Sequence, residues 1–503
     1  MANHIIEVRV DGKIASVVGD PLYVCGNSDY IVRFTFDAEW TAHETKTARF
    51  VKNNKEYFDV VFTGDQCAMP IIDNTNRVQI GVYAGNLCTT TAAIVNAQRS
   101  ILCGTGVPAA PKPDVYMQIM AMLSSGQSID PAAYGLPVLH FEGDDTGMSK
   151  DDAVTLRYVY GERSGTASVK WRGSSSLWYP KKNYAVTFDT SFEAKAGWGE
   201  QSKYAINAYW IDPSYLRNLF GAKLWGTLTR SREGVDEITK GLPNCGAIDG
   251  FPIWVTLNGK HMGIYMWTIP KGAWLFGMTG ANSGEAVVCA DAVTLYEPVL
   301  CDGTDFKIEY SASGDRAAVA ASLNNMITAL GNVQSAADLA SLEQYVDVKS
   351  VVDYYVHMAL TCNIDGINRN YQLFTRDGVK WHMSPYDMDA ILGNSVLGNS
   401  LGWPNDWPMF TGTTGINKLI DTVKTYNVEA IKTRFTTARW WEFDEGNMMH
   451  ELYAQAIAIP EILRLEDLRL WPERPGTATN NIEQILTWLR LRLLALDYNV
   501  TTV

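Results

Sequence analysis

The segment Gly104–Pro113, GTGVPAAPKP, divides the chain. Glycines at 104 and 106 and prolines at 108, 111 and 113 stop any ladder or helix from running through it. Proline lacks the N–H and fixes φ, and glycine loses the most backbone freedom on ordering. A chain of 503 residues also exceeds what one hydrophobic core organises, so the break reads as a domain boundary. The expected plan is a domain at 1–103, a linker with a short helix at 104–134, and a larger domain at 135–503. The last divides into a sheet-rich lobe, about 135–312, and a helical lobe, about 313–503. Within the linker, Asp114–Leu123 carries Val115, Ile119 and Met122 at helical spacing. A helix that short needs a partner for its stripe, either the next domain or equivalent helices of neighbouring subunits.

Before the break, the apolar period is two. Val32, Phe34 and Phe36 alternate with Arg33 and Thr35, and Val78, Ile80 and Val82 with Gln79 and Gly81. Thr47–Val51 and Tyr57–Phe62 flank Asn53-Asn54 as a hairpin. Short strands with turns every few residues predict an all-β sandwich. Its residues suggest a scaffold or assembly module, with His43 and Glu44 as surface groups.

After the break the pattern is mixed. Pro137–Phe141, Thr155–Tyr160, Ala167–Trp171 and Tyr204–Ala208 read as strands, and Pro252–Leu257 and His261–Trp267 as a hairpin around Asn258-Gly259. Asp212-Pro213-Ser214 reads as the capped start of a helix, with Arg217 and Asn218 beside its apolar stripe. From Ser313 onward apolar residues recur at helical spacing; in the last helix Arg490 and Arg492 are expected on the exposed flank. Gly393–Gly412, rich in Gly, Asn, Ser and Trp, is a candidate lid or contact surface.

Two segments carry chemistry. In the first, Arg172-Gly173-Ser174-Ser175-Ser176 lies between strands and is followed by Lys181-Lys182. A glycine-serine turn offers backbone N–H groups to an anion. By strand period Lys182 shares the inward face of Tyr184, Val186 and Phe188, which makes it the choice for a phosphate or carboxylate partner. The other reading is a strand-edge lysine that blocks sheet pairing. In the second segment, Asp365 is followed by Asn370, then a hairpin over Tyr371–Met383, then Asp387 and Asp389. An acid to hold an attacking hydroxyl, an amide and a further acid for divalent metal is the set phosphoryl transfer needs, in the order protein kinases use. Acids after a hairpin also occur as plain solvated turn residues.

Composition removes other classes. The net charge of −13 argues against a nucleic-acid binder. The eight cysteines show no zinc or redox spacing, and no paired-histidine zinc pattern occurs. No run of eighteen apolar residues predicts a membrane span, and the start has no signal-peptide pattern.

From about Leu136 to the end the chain resembles the CotH-type spore-coat protein kinases, an atypical kinase-like α+β fold. The resemblance rests on Arg172–Ser176 with Pro180–Tyr184, on Asp212–Asn218, on Leu257–Tyr265, and on Pro385–Asp389, where Tyr386 stands for the usual tryptophan. It implies Asp365 as the catalytic-loop aspartate with Asn370 downstream of it. It further implies Asp387 as metal ligand, with Asp389 and Asn370 beside it, for Mg²⁺ or Mn²⁺. Lys182 or Lys181, with Arg172, Ser174 and Ser175, would contact ATP phosphates. One departure stands out: the family's glutamate after G-x-Y falls here on Ile269, which implies weakened adenine or metal handling and leaves open a pseudokinase that uses no ATP or metal.

Residues 1–103, through Arg33–Phe36, Thr47–Phe50 and Val82–Gly85, resemble the small BppU-like β-domain that begins baseplate or upper-tail proteins of phages and prophages. The combination implies a virion protein of the tail or baseplate, made in the host cytoplasm, with other tail proteins as partners and homo-oligomeric assembly, a trimer among the options. Two functions follow: a structural, host-contacting component with a kinase-like body, or a Mg-ATP-dependent protein serine kinase tethered to the particle. Polysaccharide hydrolysis by paired carboxylates is a third class, for which Asp387 and Asp389 are poorly spaced.

Overall fold

The computed structural model describes residues 4–27, 29–53, 55–84, 88–98, 130–399, 410, 413–476 and 481–502. The expected helix Asp114–Leu123, and residues 400–409 and 411–412 of the candidate lid, lie outside the described residues. Two compact units divide the chain, Met1–Ile129 and Asp130–Val503.

The described strands of the first unit are β1 (His4–Asp11), β2 (Ile14–Val17), β3 (Leu22–Val24), β4 (Tyr30–Phe36), β5 (Thr45–Lys52), β6 (Glu56–Thr63), β7 (Gln66–Ala68), β8 (Arg77–Ala84), β9 (Cys88–Thr89) and β10 (Ala93–Gln98). They form two sheets, β2-β1-β4-β7 and β3-β10-β8-β5-β6, with β9 on β8. Period-two patterning sends Ile6, Val8, Val32 and Phe34 from one sheet and Phe50, Val78, Ile80, Val82 and Val95 from the other into a single buried core. The hairpin over residues 45–63 forms with Lys52 opposite Glu56.

In the second unit, β11 (Val138–Glu142), β12 (Val154–Tyr160), β13 (Arg163–Arg172), β14 (Asn183–Phe192), β15 (Gln201–Asn207), β16 (Gly250–Leu257) and β17 (Lys260–Thr268) close into a barrel ordered β11-β12-β13-β14-β15-β17-β16. The parallel pairing of β11 with β16 closes it and leaves no free edge along these strands. Tyr184, Val186, Phe188, Tyr204, Tyr265 and Trp267 fill its interior. Asn258 and Gly259 take φ of 51° and 74° between β16 and β17, as a two-residue hairpin turn requires.

A four-stranded sheet follows, β19-β18-β20-β21, from β18 (Ala286–Ala290), β19 (Phe306–Ser311), β20 (Tyr371–Thr375) and β21 (His382–Pro385). It takes strands from both sides of residue 312, so the sheet-rich and helical segments interleave there. The longer helices are α1 (Arg217–Ser231), α2 (Arg316–Gly331), α3 (Val348–Thr361), α4 (Lys418–Tyr426), α5 (Val428–Trp440), α6 (Glu445–Ile457), α7 (Glu461–Leu470) and α8 (Ile482–Thr502). Nearly every residue of α3 is buried, because α1, α4, α5, α8 and β21 all pack on it.

Two local expectations are corrected. The helix after Asp212 starts only at Arg217, because Tyr215 sits at φ 62° and breaks the turn. Asp212 instead accepts the backbone N–H of Arg217 at 3.0 Å and its guanidinium at 2.7 Å. Arg492 is fully buried rather than on the exposed flank, its Nε donating to the Ala359 carbonyl at 2.8 Å; a long side chain on a helix wedged against α3 has no path to water. No helix among the described residues is long and apolar enough to cross a membrane.

Candidate functional site

The hairpin β20–β21 gathers the acids. Its last pair sets Tyr371 opposite Pro385, and beyond it the Tyr386 N–H donates to the Asn370 carbonyl at 3.0 Å. Asn370 and Asp387 therefore leave the hairpin from the same end. Both take a left-handed φ of 54°, a conformation Asn and Asp tolerate better than other side chains with a Cβ.

Asp365 arrives from the other direction. Helix α3 ends at Cys362 in the left-handed conformation, and a single turn of 3₁₀-helix, Asp365–Ile367, follows. That turn is pinned by the Tyr354 hydroxyl donating to the Gly366 carbonyl at 2.6 Å and by the Gly366 N–H donating to Asn363 at 3.0 Å. The amide of Asn370 then donates to the Asp365 carboxylate, and Arg369 stands 3.8 Å from its other oxygen. Sequence order alone suggested these residues; the hairpin end brings Asn370 onto Asp365 and sets the charge of Asp387 near it.

Asp389 joins them by a different route from the shared strand face that an i, i+2 spacing would give. Neither Asp387 nor Asp389 is in a strand, because β21 ends at Pro385. Helix α1 holds the segment instead: Asn218 accepts the Met388 N–H at 2.7 Å, and Arg217 donates to the Ile391 carbonyl at 2.8 Å. Gly221 makes room for Met388 and Ile391, since a Cβ there would meet them at 3.0 and 2.8 Å. The Arg217-Asn218 pair beside the apolar stripe was the sequence signal for this clamp, but nothing in it named the partner segment.

The electrostatics record the crowding. Burial, and then the charges of Asp387 and Asp291, raise the Asp365 carboxyl above its ordinary range, against the pull of Arg369 and Asn370. Burial followed by the charges of Asp387, Asp212 and Asp365 drives Asp389 well above that range. Arg172 sits beside them, donating to the Tyr386 hydroxyl at 3.1 Å and to Asn207. Burial opposes its charge, but Tyr386 and Asp387 outweigh burial and hold it more firmly protonated.

The remaining expected residues distribute unevenly. Ser174 and Ser175 are exposed on a short turn whose helical part is Ser175–Trp178. Lys182, the chosen phosphate partner, is turned onto its own loop, donating to the Leu177 and Tyr179 carbonyls at 2.6 Å each. Lys181 is the inward lysine, fully buried against Asp467 at 2.5 Å. The strand period failed here because β14 begins only at Asn183, so its alternation does not reach back to either lysine. Lys271, which the sequence reading passed over, stands 4.3 Å above the ring of Tyr386 and 3.5 Å from Glu309. Ile269, in place of the expected glutamate, is buried in the barrel core.

Among the described residues no group of three or more His, Cys, Asp or Glu side chains is arranged to hold a metal on its own. Asp387 and Asp389 with the Asn370 side-chain amide oxygen would offer a partial oxygen set, the kind Mg²⁺ completes with phosphate oxygens and water. The crowded carboxylates fit such a cation, because a dication offsets the burial and, after it, the mutual repulsion that raise Asp365 and Asp389.

Residues 169–496 match the family described as CotH kinase protein. The chain belongs to that family. The match runs from within β13 into α8 and takes in all the site residues above. The protein therefore carries a CotH kinase-like domain behind an all-β N-terminal region. Among curated proteins none matches the chain.

Proposed function

We propose that the CotH domain is a working atypical protein kinase, which transfers a phosphoryl group from ATP with Mg²⁺ or Mn²⁺ to a protein serine. The N-terminal sandwich tethers it to a phage tail or baseplate as a homo-oligomer in contact with other tail proteins. The observation that carries the catalytic half is the Asn370–Asp365 hydrogen bond at the hairpin end that also presents Asp387. Phosphoryl transfer asks little beyond positioning and charge stabilisation, and these residues can supply both.

In this reading Asp365 orients the attacking hydroxyl and takes its proton as the bond from oxygen to the γ-phosphorus forms and the bond to the leaving ADP oxygen breaks. A carboxyl raised by burial is a better proton acceptor than an ordinary one. Asn370 and Asp387, with Asp389, would hold the dication, which when bound neutralises phosphate charge. Arg172 adds a permanent cation beside Asp387. The tethering half rests on the resemblance of residues 1–103, and gives the particle-bound kinase its address.

The test is transfer of the γ-phosphate to serine-bearing tail proteins by the full chain and by Asp365→Asn. Loss of a catalytic base costs about 10²–10⁴ in rate. Transfer that falls by this factor while nucleotide affinity holds supports the reading. A wild-type chain that binds no nucleotide and transfers nothing makes the body a structural component of the virion instead.

A further inference from the structure

Three lysines, Lys181, Lys182 and Lys271, are candidates for a phosphate contact, and their hydrogen-bond capacity separates them. An ammonium has three donors. Lys181 uses all three on oxygen, with Asp467 at 2.5 Å, the Ile264 carbonyl at 2.6 Å and the Tyr215 hydroxyl at 2.9 Å, and its side chain is fully buried. Lys182 spends two on backbone carbonyls of its own loop. Lys271 makes no such bond to oxygen among the described residues. Its polar neighbours are the Cys289 sulfur at 3.2 Å, a weak acceptor, and Glu309 at 3.5 Å, beyond a short charge-assisted bond; Glu309 is shared with the exposed Lys307 at 3.3 Å.

That loosely held ammonium is placed on the chemistry. It lies over the ring of Tyr386, the residue before Asp387, while Arg172 holds the hydroxyl of the same ring. Glu309 comes from β19, at the edge of the sheet that carries the catalytic hairpin, and its side chain is 12% exposed. The acid expected after the β17 hairpin is absent, with Ile269 buried in its place, and Glu309 puts a carboxylate beside Lys271 from another strand.

Resting on the kinase reading above, we infer that Lys271, oriented by Glu309, is the lysine that contacts the nucleotide phosphates in this chain. Lys181 fastens the fold, and Lys182 fastens its loop. Glu309 acts as a positioning residue, and Lys271 touches the ligand.

The experiment is calorimetric titration of the full chain with ATP, ADP and adenosine in Mg²⁺, for wild type, Lys271→Met, Lys271→Arg, Glu309→Gln and Lys182→Met. A lost charge-assisted contact lowers affinity roughly ten- to hundredfold. The expected result is that loss for ATP in Lys271→Met, with adenosine affinity unchanged, partial rescue in Lys271→Arg, a smaller loss in Glu309→Gln, and wild-type binding in Lys182→Met. Thermal melting checks that each variant is folded. Wild type that binds ATP while a folded Lys271→Met binds it equally well overturns the assignment alone. If Lys271→Met is unfolded, Glu309→Gln decides: unchanged ATP affinity overturns the assignment and a selective loss for ATP upholds it. Wild type that binds no ATP overturns the kinase reading and this inference together.

Discussion

Lys181→Met and Asp467→Asn should both destabilise the CotH domain, and the second should do so more. The two side chains are 0% and 1% exposed, so solvent screening does not soften the pair. Breaking a buried ion pair by removing one partner costs about 3–5 kcal/mol. Removing the ammonium leaves Asp467 with Arg474 at 2.7 Å, the Tyr215 hydroxyl and the Ile264 N–H at 2.9 Å, so Lys181→Met belongs near about 3 kcal/mol. Removing the carboxylate charge takes away the acid shared by Arg474 and Lys181, whose ammonium burial already pulls down to about 7, and leaves the buried Arg474 with its nearest acid gone, so Asp467→Asn belongs at the top of that range, about 5 kcal/mol. One carboxylate serving two cations is what sets the order. Urea denaturation followed by tryptophan fluorescence reads it, since midpoint and slope give the difference in free energy. A Lys181→Met chain that unfolds like the parent yet loses ATP binding would refute the reasoning, because the ammonium would then serve a ligand and not the fold.

Two further outcomes follow from packing. His357 donates to the Gly221 carbonyl at 2.8 Å from a buried site, and burial pushes its imidazole down to about 4. The unfolded chain takes up a proton near the ordinary value of 6.5 and the folded one only near 4, so stability falls as pH drops through that window by up to about 3 kcal/mol; pH-dependent melting of His357→Gln should lose that slope, and an unchanged slope contradicts it. A methyl at Gly284 would press into the Asp377 carbonyl oxygen and stand 2.6 Å from the Gly378 nitrogen, so Gly284→Ala should cost about 1–3 kcal/mol in thermal melting, whereas an unchanged melting temperature would mean that the turn has slack.

What could be read from sequence follows from which patterns are local. The alternation of β4 and β8 and the Asn258-Gly259 turn need only neighbouring residues, and they appear as expected. The grouping of Asp365, Asn370 and Asp387 was legible because they straddle one hairpin, so a short-range structure brings them to the same end. The two lysines were not: a strand period says nothing before the strand's first residue, and the partner of Lys181 lies 286 positions away. Lys271 escaped notice for the same reason. Its neighbours Cys289, Glu309 and Tyr386 come from three separate strands or strand ends, a meeting that only the sheet order produces. Barrel closure is likewise invisible locally, because β11 and β16 pair in parallel across more than a hundred residues.

The most direct measurement of the central claim is calorimetric titration of the purified chain with ATP, with and without Mg²⁺, beside its Asp387→Asn variant. Asp387 leaves the hairpin with Asn370 and bears on the charge of both Asp365 and Asp389, so its loss should abolish metal-dependent binding while the fold persists. Binding in the parent that requires the metal and vanishes in the folded variant is the predicted result. A folded parent that binds no ATP at millimolar concentration, or binds it equally without metal and with Asn at 387, would contradict the account.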